Sequence, residues 1–283
     1  MEFEKITIIG LGLIGGSLAR ALKESNEVGA VIGIDPDRET IEYALGNGII
    51  DIGSSDIREG VEGAEIIVIS THVGIITDTA KSVFPAATQG AIITDVGSVK
   101  SVVVKGIEPY LPANIHFIGG HPIAGTENSG VKSADSKLFN GKRCILTPTE
   151  KTDPLAKSKV TRMWELVGSE VREMDPETHD HIFGLVSHLP HIVAYSLINT
   201  VLNAQDSEVL LEFAGGGLKD YTRVAASSPE MWVEIFKTNK SHLLEAISMF
   251  KDSLGDIEEA IENEDFDTLK KKLDKAARTK RNL

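Results

Sequence analysis

Cysteine is almost missing from this chain: Cys144 stands alone among 283 residues. An internal disulfide is thereby excluded, and a lone thiol reads more readily as a small buried apolar residue than as a nucleophile. Long hydrophobic runs are missing too. Stretches such as 66–69 and 102–104 fall far short of the roughly 20 apolar residues that a membrane span needs. Residues 1–5 carry two glutamates and lead straight into a strand pattern, so no secretory leader is expected. Positive charge is in deficit, with 29 Lys and Arg against 42 Asp and Glu and a net charge of −13. That balance argues against nucleic acid and anionic membranes as partners. An anionic substrate would need specific basic residues to receive it. Screening over roughly 8 Å lets a pocket arginine outweigh distant carboxylates. Repeats and low-complexity segments are absent, and 41% hydrophobic with 25% charged residues is ordinary globular composition. The expectation is a soluble cytoplasmic protein.

What is present begins with residues 5–35. A β-branched run at 5–9 leads into Gly10, Gly12 and Gly15 in a G-x-G-x-x-G turn that includes Leu13 and Ile14. A helical pattern with Leu18, Ala19 and Leu22 follows, then an apolar strand at 31–34 that ends in Asp35. Gly10 permits the tight turn, Gly12 lets backbone approach a pyrophosphate, and Gly15 lets helix and strand pack closely. The helix N-terminus offers N–H groups to the phosphates. Asp35, 20 residues beyond Gly15, would accept hydrogen bonds from the adenosine ribose and repel a 2′-phosphate, favouring NAD over NADP. Arg38 blurs that preference without reversing it.

From there to residue 174 strands alternate with helices. Strands are expected at 64–70, 91–95, 116–119, 142–147 and 170–174. Helices are expected at 39–47, 75–84, 99–110 and 154–166. The fold class is α/β: a Rossmann-type doubly wound, mostly parallel sheet covered by helices on both faces. Ligands bind such sheets at the carboxyl ends of strands. Three ends therefore matter: Ser70-Thr71-His72, Asp95 to Ser98, and Gly119 to Pro122. After 174 no strand pattern remains, which divides the chain into 1–174 and an all-helical 175–283. Pro190 must bend or break a helical stretch over 176–203, Gly215 to Gly217 read as a loop, and Pro229 opens a helix running over 231–254. On that helix Asn239 and Lys240 interrupt an apolar stripe. They read either as a solvent-reaching lysine whose stem packs or as a polar gap facing a ligand or subunit boundary.

His121 follows two glycines at a strand end, where its ordinary pKa near 6.5 suits a general base; a structural histidine fits as well. Ser98 is either a hydrogen-bonding partner in the cleft or the N-cap of the 99–110 helix. Four histidines fall within residues 179–191, yet no H-E-x-x-H pattern accompanies them, so no metal is expected. Asp180 is the better orienting partner for a catalytic histidine. Residues 215–223 are glycine-rich and then basic; Arg223 is either a bidentate carboxylate receptor or an exposed loop arginine.

Taken together, G-L-G-L-I-G-G-S-L, D-V-G-S-V-K, G-G-H-P-I-A-G-T-E, V-S-H-L-P-H and G-G-G-L-K-D-Y-T-R resemble the prephenate dehydrogenase family over residues 4 to about 255. The resemblance implies NAD-dependent oxidative decarboxylation of prephenate, or of arogenate in close relatives. It also implies a helical domain that makes a homodimer, with the active site in the cleft between domains. It makes His121 the catalytic base, Asp180 the holder of its imidazole, Ser98 a second contact to the ring hydroxyl and Arg223 the receptor of the ring carboxylate. His191, Thr126, Glu127, Ser187, Gly216, Lys219 and Asp220 become pocket or gate positions. Trp232 becomes a tryptophan reaching the site from the partner subunit. Ser70 and Thr71 join the glycine turn as cofactor contacts. The regulatory ACT domain or chorismate mutase that many members append finds no residues here. Rival readings are a 3-hydroxyacid dehydrogenase, with Lys240 as its lysine, and a non-catalytic nicotinamide-binding sensor.

Overall fold

The strands of the first half are β1 (Phe3–Ile9), β2 (Val28–Ile34), β3 (Ile52–Ser54), β4 (Ile66–Ile69), β5 (Ile92–Asp95), β6 (His116–Pro122), β7 (Arg143–Thr147) and β8 (Glu170–Glu173). In the computed structural model, which describes residues 1–126 and 128–282, they form one eight-stranded sheet in the order β3-β2-β1-β4-β5-β6-β7-β8. The first six run parallel, and β7 turns antiparallel to β6, pairing Ile145 with His121. Why these segments are strands is plain in β4. Ile66 and Val68 pack into the core on one face of the sheet, and Ile67 and Ile69 into the core on the other. All four are fully buried, so a two-residue side-chain period reads as an unbroken apolar run. Each such side chain contributes about 1.5–3 kcal/mol of burial. The order reverses between β1 and β4, the place where doubly wound sheets open a crevice.

The covering helices are α1 (Leu13–Glu24), α2 (Arg38–Gly46), α3 (Ile57–Val61), α4 (Val73–Val83), α5 (Ser101–Ile107) and α6 (Pro154–Leu166). The short pair β3 and α3 lies where the sequence showed no pattern, since β3 is only three residues long and half exposed. The second half is helical throughout its described residues: α7 (Pro176–Phe183), α8 (Leu189–Leu202), α9 (Ser207–Glu212), α10 (Gly216–Thr222), α11 (Pro229–Thr238), α12 (Lys240–Glu262) and α13 (Phe266–Arg281). Asp175 and Ser228 cap α7 and α11, each ahead of a proline whose missing N–H costs nothing there. Pro190 does not end its helix. A wider π turn over Gly184–His188 precedes it and carries the helix on into α8.

Three expectations are corrected. The stripe over 231–254 is two helices, because Asn239 (φ −110°, ψ 31°) breaks it. Gly216 and Gly217 begin α10 rather than lying in a loop. The combined helix Pro176–Leu202 is long and apolar enough to span a bilayer, with a mean hydropathy of 1.3. Its first part is nevertheless pinned to the sheet domain through buried His179, Asp180 and His188. Its second part exposes Leu197 and Leu202 beside exposed Leu210, Phe213 and Leu244. So much uncovered apolar surface implies a protein partner. The two halves meet where α11 packs on α4, and Trp232 and Ile235 enter the core of one sheet face.

Candidate active site

The glycine turn has the shape a dinucleotide requires. Gly10 takes φ +94°, and a Cβ there would come within 2.5 Å of the Ser70 carbonyl. At Gly15 a Cβ would collide with the Gly10 carbonyl and lie 3.0 Å from the Ser70 hydroxyl. Gly12 borders open space, with nothing within 4 Å of such an atom, and no side chain caps the start of α1, which begins at Leu13 and Ile14. Uncapped N–H groups above an open glycine form a cradle for a pyrophosphate. Asp35 at the end of β2 accepts from the Leu11 N–H at 2.8 Å and the Asp37 N–H at 3.0 Å, which fixes its carboxylate beside the turn. Thr71 is half-buried next to Ser70. These residues fit NAD, and the carboxylate disfavours a 2′-phosphate.

His121 is the penultimate residue of β6 and is half-buried. Its Nδ1 lies 2.8 Å from Nε2 of His179, and His179 Nδ1 lies 2.8 Å from Oδ1 of Asp180. Asp180 therefore does not hold His121 directly, as the resemblance implied; His179 stands between them. The carboxylate is fully engaged, since Oδ1 also accepts from the Lys100 N–H at 2.7 Å and Oδ2 from the Ser101 N–H at 2.8 Å. An aspartate from the second domain thus caps α5, the part expected of Ser98, and gains from the positive helix end. Because a carboxylate only accepts, His179 Nδ1 carries the proton and its Nε2 accepts from His121 Nδ1–H. That order leaves the Nε2 lone pair of His121 as the available base.

Ser98 is half-buried, and its hydroxyl makes no hydrogen bond among the described residues. His191 donates from Nδ1 to the Ser187 carbonyl at 2.9 Å and stacks on Trp232 with ring centroids 3.6 Å apart. Trp232 is buried against its own chain's His191, His188 and Phe236, so its placement needs no partner subunit. Arg223 is exposed at the end of α10, and its charge adds to the burial that lowers the pKa of His191. Thr126, Gly216, Lys219 and Asp220 are exposed. Glu127 lies outside the described residues. Lys240 is exposed.

The sequence reading missed His179, Lys100 and the part Asn239 plays. Asn239 is 2% exposed and faces neither ligand nor boundary. Its Nδ2 donates to the Asp180 carbonyl at 2.8 Å and to His188 Nδ1 at 3.0 Å. His188 Nε2 points at the Ser98 backbone without closing a hydrogen bond. An asparagine inside an apolar stripe was the available signal. The histidines of 179–191 do not converge on one point. Among the described residues the ligand atoms that come within 4.8 Å of one another belong to His181, His242 and Glu245.

Burial holds the His121 imidazole well below the usual histidine range, and the charges of His179, Lys100 and His188 add to it. A carboxylate in direct contact would raise an imidazole, but Asp180 reaches His121 only through His179. Burial likewise lowers His179, against the pull of Asp180, and pushes His188 down to about 4. Cys144 is buried, and burial raises its thiol pKa far out of reactive range. The arrangement is a neutral imidazole with a set tautomer at the carboxyl end of the sheet that carries the dinucleotide cradle.

Comparison with known proteins gives the family. Residues 18–173 match the family model described as "Prephenate dehydrogenase, nucleotide-binding domain", and residues 175–275 match "Prephenate dehydrogenase, dimerization domain". A prephenate dehydrogenase of Bacillus subtilis is 37% identical over 94% of this chain and 72% of its own length. A cyclohexadienyl dehydrogenase of Zymomonas mobilis is 35% identical over 94% of this chain and 92% of its own. The crystal structure of prephenate dehydrogenase from A. aeolicus in complex with hydroxyphenyl propionate and NAD+ superposes with a TM-score of 0.94 at 39% identity, covering 100% and 99% of the two chains. The chain belongs to the prephenate dehydrogenase family.

Proposed function

We propose that the protein catalyses the NAD-dependent oxidative decarboxylation of prephenate to 4-hydroxyphenylpyruvate and carbon dioxide in tyrosine synthesis. It acts as a cytoplasmic homodimer, with residues 1–174 binding NAD and residues 175–283 supplying the helical side of the cleft. The observation that carries the reading is the His121–His179–Asp180 chain, which presents a neutral Nε2 at the carboxyl end of the sheet. His121 Nε2 takes the proton of the ring alcohol as its carbon is oxidised. NAD, when bound, supplies the acceptor for the hydride that leaves that carbon. Ser98, with its hydroxyl unengaged, bonds the same alcohol oxygen and orients it. Arg223 receives the ring carboxylate, which departs as carbon dioxide while its bonding electrons enter the ring. Aromaticity makes that loss irreversible. His191, held by Ser187 and stacked on Trp232, lines the wall, and Thr126, Gly216, Lys219 and Asp220 edge the pocket.

The test is to mix the protein with NAD and either prephenate or arogenate and follow NADH absorbance. Turnover of prephenate is expected. Arg223 meets the carboxylate common to both substrates, so the arogenate arm reads the side-chain preference separately. NAD binding without turnover of either substrate would leave a nicotinamide-binding protein and remove the proposal.

A further inference from the structure

Beneath His121 lies a charged pair that the reaction does not consume. Lys100 and Asp95 are both completely buried and form an ion pair. The Lys100 ammonium also donates to the Gly120 carbonyl at 2.7 Å. Asp95 is otherwise satisfied by the Gly97 N–H at 2.8 Å and the Gly120 N–H at 3.2 Å. Both polar atoms of Gly120, the residue before His121, are therefore held by this pair. The backbone approaches so closely that a Cβ on Gly120 would lie 2.7 Å from the Asp95 carbonyl. Lys100 has a second grip, because its own N–H donates to Asp180 at 2.7 Å. One residue thus touches both ends of the proton-handling chain, the strand that carries His121 and the aspartate that orients His179.

Burying a lysine and an aspartate costs several kcal/mol that an apolar pair of the same volume would avoid. A structural role alone does not explain why the charge is there. We propose that Lys100 is a positioning residue for the reaction, one whose buried ammonium holds the strand that carries His121 in register with the His179–Asp180 end of the proton-handling chain. The proposal rests on His121 as the base. The titratable groups that act on that ring are His179 from α7, His188 from the π turn and Lys100 at the start of α5, with Asp180 behind His179 and Asp95 behind Lys100.

The test compares Lys100→Met, the neutral pair Asp95→Asn/Lys100→Met, and His121→Asn as a control. The double variant carries the test if the single one, with its unpaired buried carboxylate, does not fold. Turnover is expected to fall by roughly tenfold or more, as loss of positioning does, with the Michaelis constants for prephenate and NAD little changed. In Lys100→Met the acid limb of the turnover profile should move to higher pH, since removing a nearby cation makes the imidazole easier to protonate; in the double variant, which removes one charge of each sign, it should move less. A folded double variant with normal turnover, or with Michaelis constants that rise as turnover falls, overturns the proposal. An active His121→Asn overturns instead the reading of the base on which it rests.

Discussion

Replacing His179 by phenylalanine isolates the part of the site that the structure added. The ring lies between His121 and Asp180, with Phe183 stacked 4.5 Å away between centroids, so His179→Phe keeps the packing and removes two hydrogen bonds. Asp180 retains the Lys100 and Ser101 N–H donors, and α5 stays capped. His121 loses its acceptor at Nδ1. With nothing there to hold a proton, the tautomer protonated at Nε2 competes, and that form cannot take a proton from the substrate. Leaving a buried donor unpaired costs about 1–3 kcal/mol. Expressed in the transition state, that predicts a fall in turnover of roughly 5- to 150-fold. The Michaelis constant for prephenate should hold, since His179 is completely buried behind His121. The assay is initial-rate NADH formation at saturating NAD across a prephenate series, with thermal unfolding as a control on folding. Turnover within twofold of the parent, in a variant that melts normally, would refute the ordering of the chain.

Other outcomes follow from the same geometry. His121→Asn should lose roughly 10²- to 10⁴-fold in turnover, as positioned bases do, while a substrate analogue binds as before. Arg223→Ala should raise the Michaelis constant by roughly 10- to 100-fold. This corresponds to the ~1.5–3 kcal/mol of a hydrogen bond to a charged group, less than a buried pair would cost, because Arg223 is exposed. Asn239→Ala should lower stability by about 1–3 kcal/mol in denaturant unfolding, because the Asp180 carbonyl and His188 Nδ1 lose a shared donor. The pH profile of kcat/KM should be flat through neutrality and fall only below the usual histidine range, since burial holds His121 down; a limb centred at or above 6.5 would contradict it. Stability has the same sign. His188 titrates near 4 in the fold and near 6.5 unfolded. The unfolded chain therefore binds the extra proton as pH falls through that window, and about 3 kcal/mol is lost by pH 4. Melting temperatures measured from pH 7 to pH 4 report it.

Much of this protein was legible in one dimension because its signals are local. A β-branched run, a glycine turn, a helix and an acidic residue in order specify a dinucleotide cradle. The turn needs glycine at Gly10, where φ is +94°, and no distant residue can alter that requirement. The alternation of strands and helices to 174, and its end there, follow from hydrophobic period alone. His121 stood out by its place at a strand end. Contacts between separate segments were not legible. No spacing rule reveals that His179 would intervene between His121 and Asp180, that Asp180 would cap a helix 79 residues earlier in the chain, or that Asn239 would close on Asp180 and His188. Nor does sequence show that Lys100, read only as the end of a motif, is completely buried beneath the base. The sequence alone determined the fold class and the cofactor, and it marked His121 as a candidate base. The tertiary structure decided the tautomer and charge of that imidazole, because both depend on which donors, acceptors and cations surround it, and those come from α7, the π turn and the start of α5, well apart in the chain.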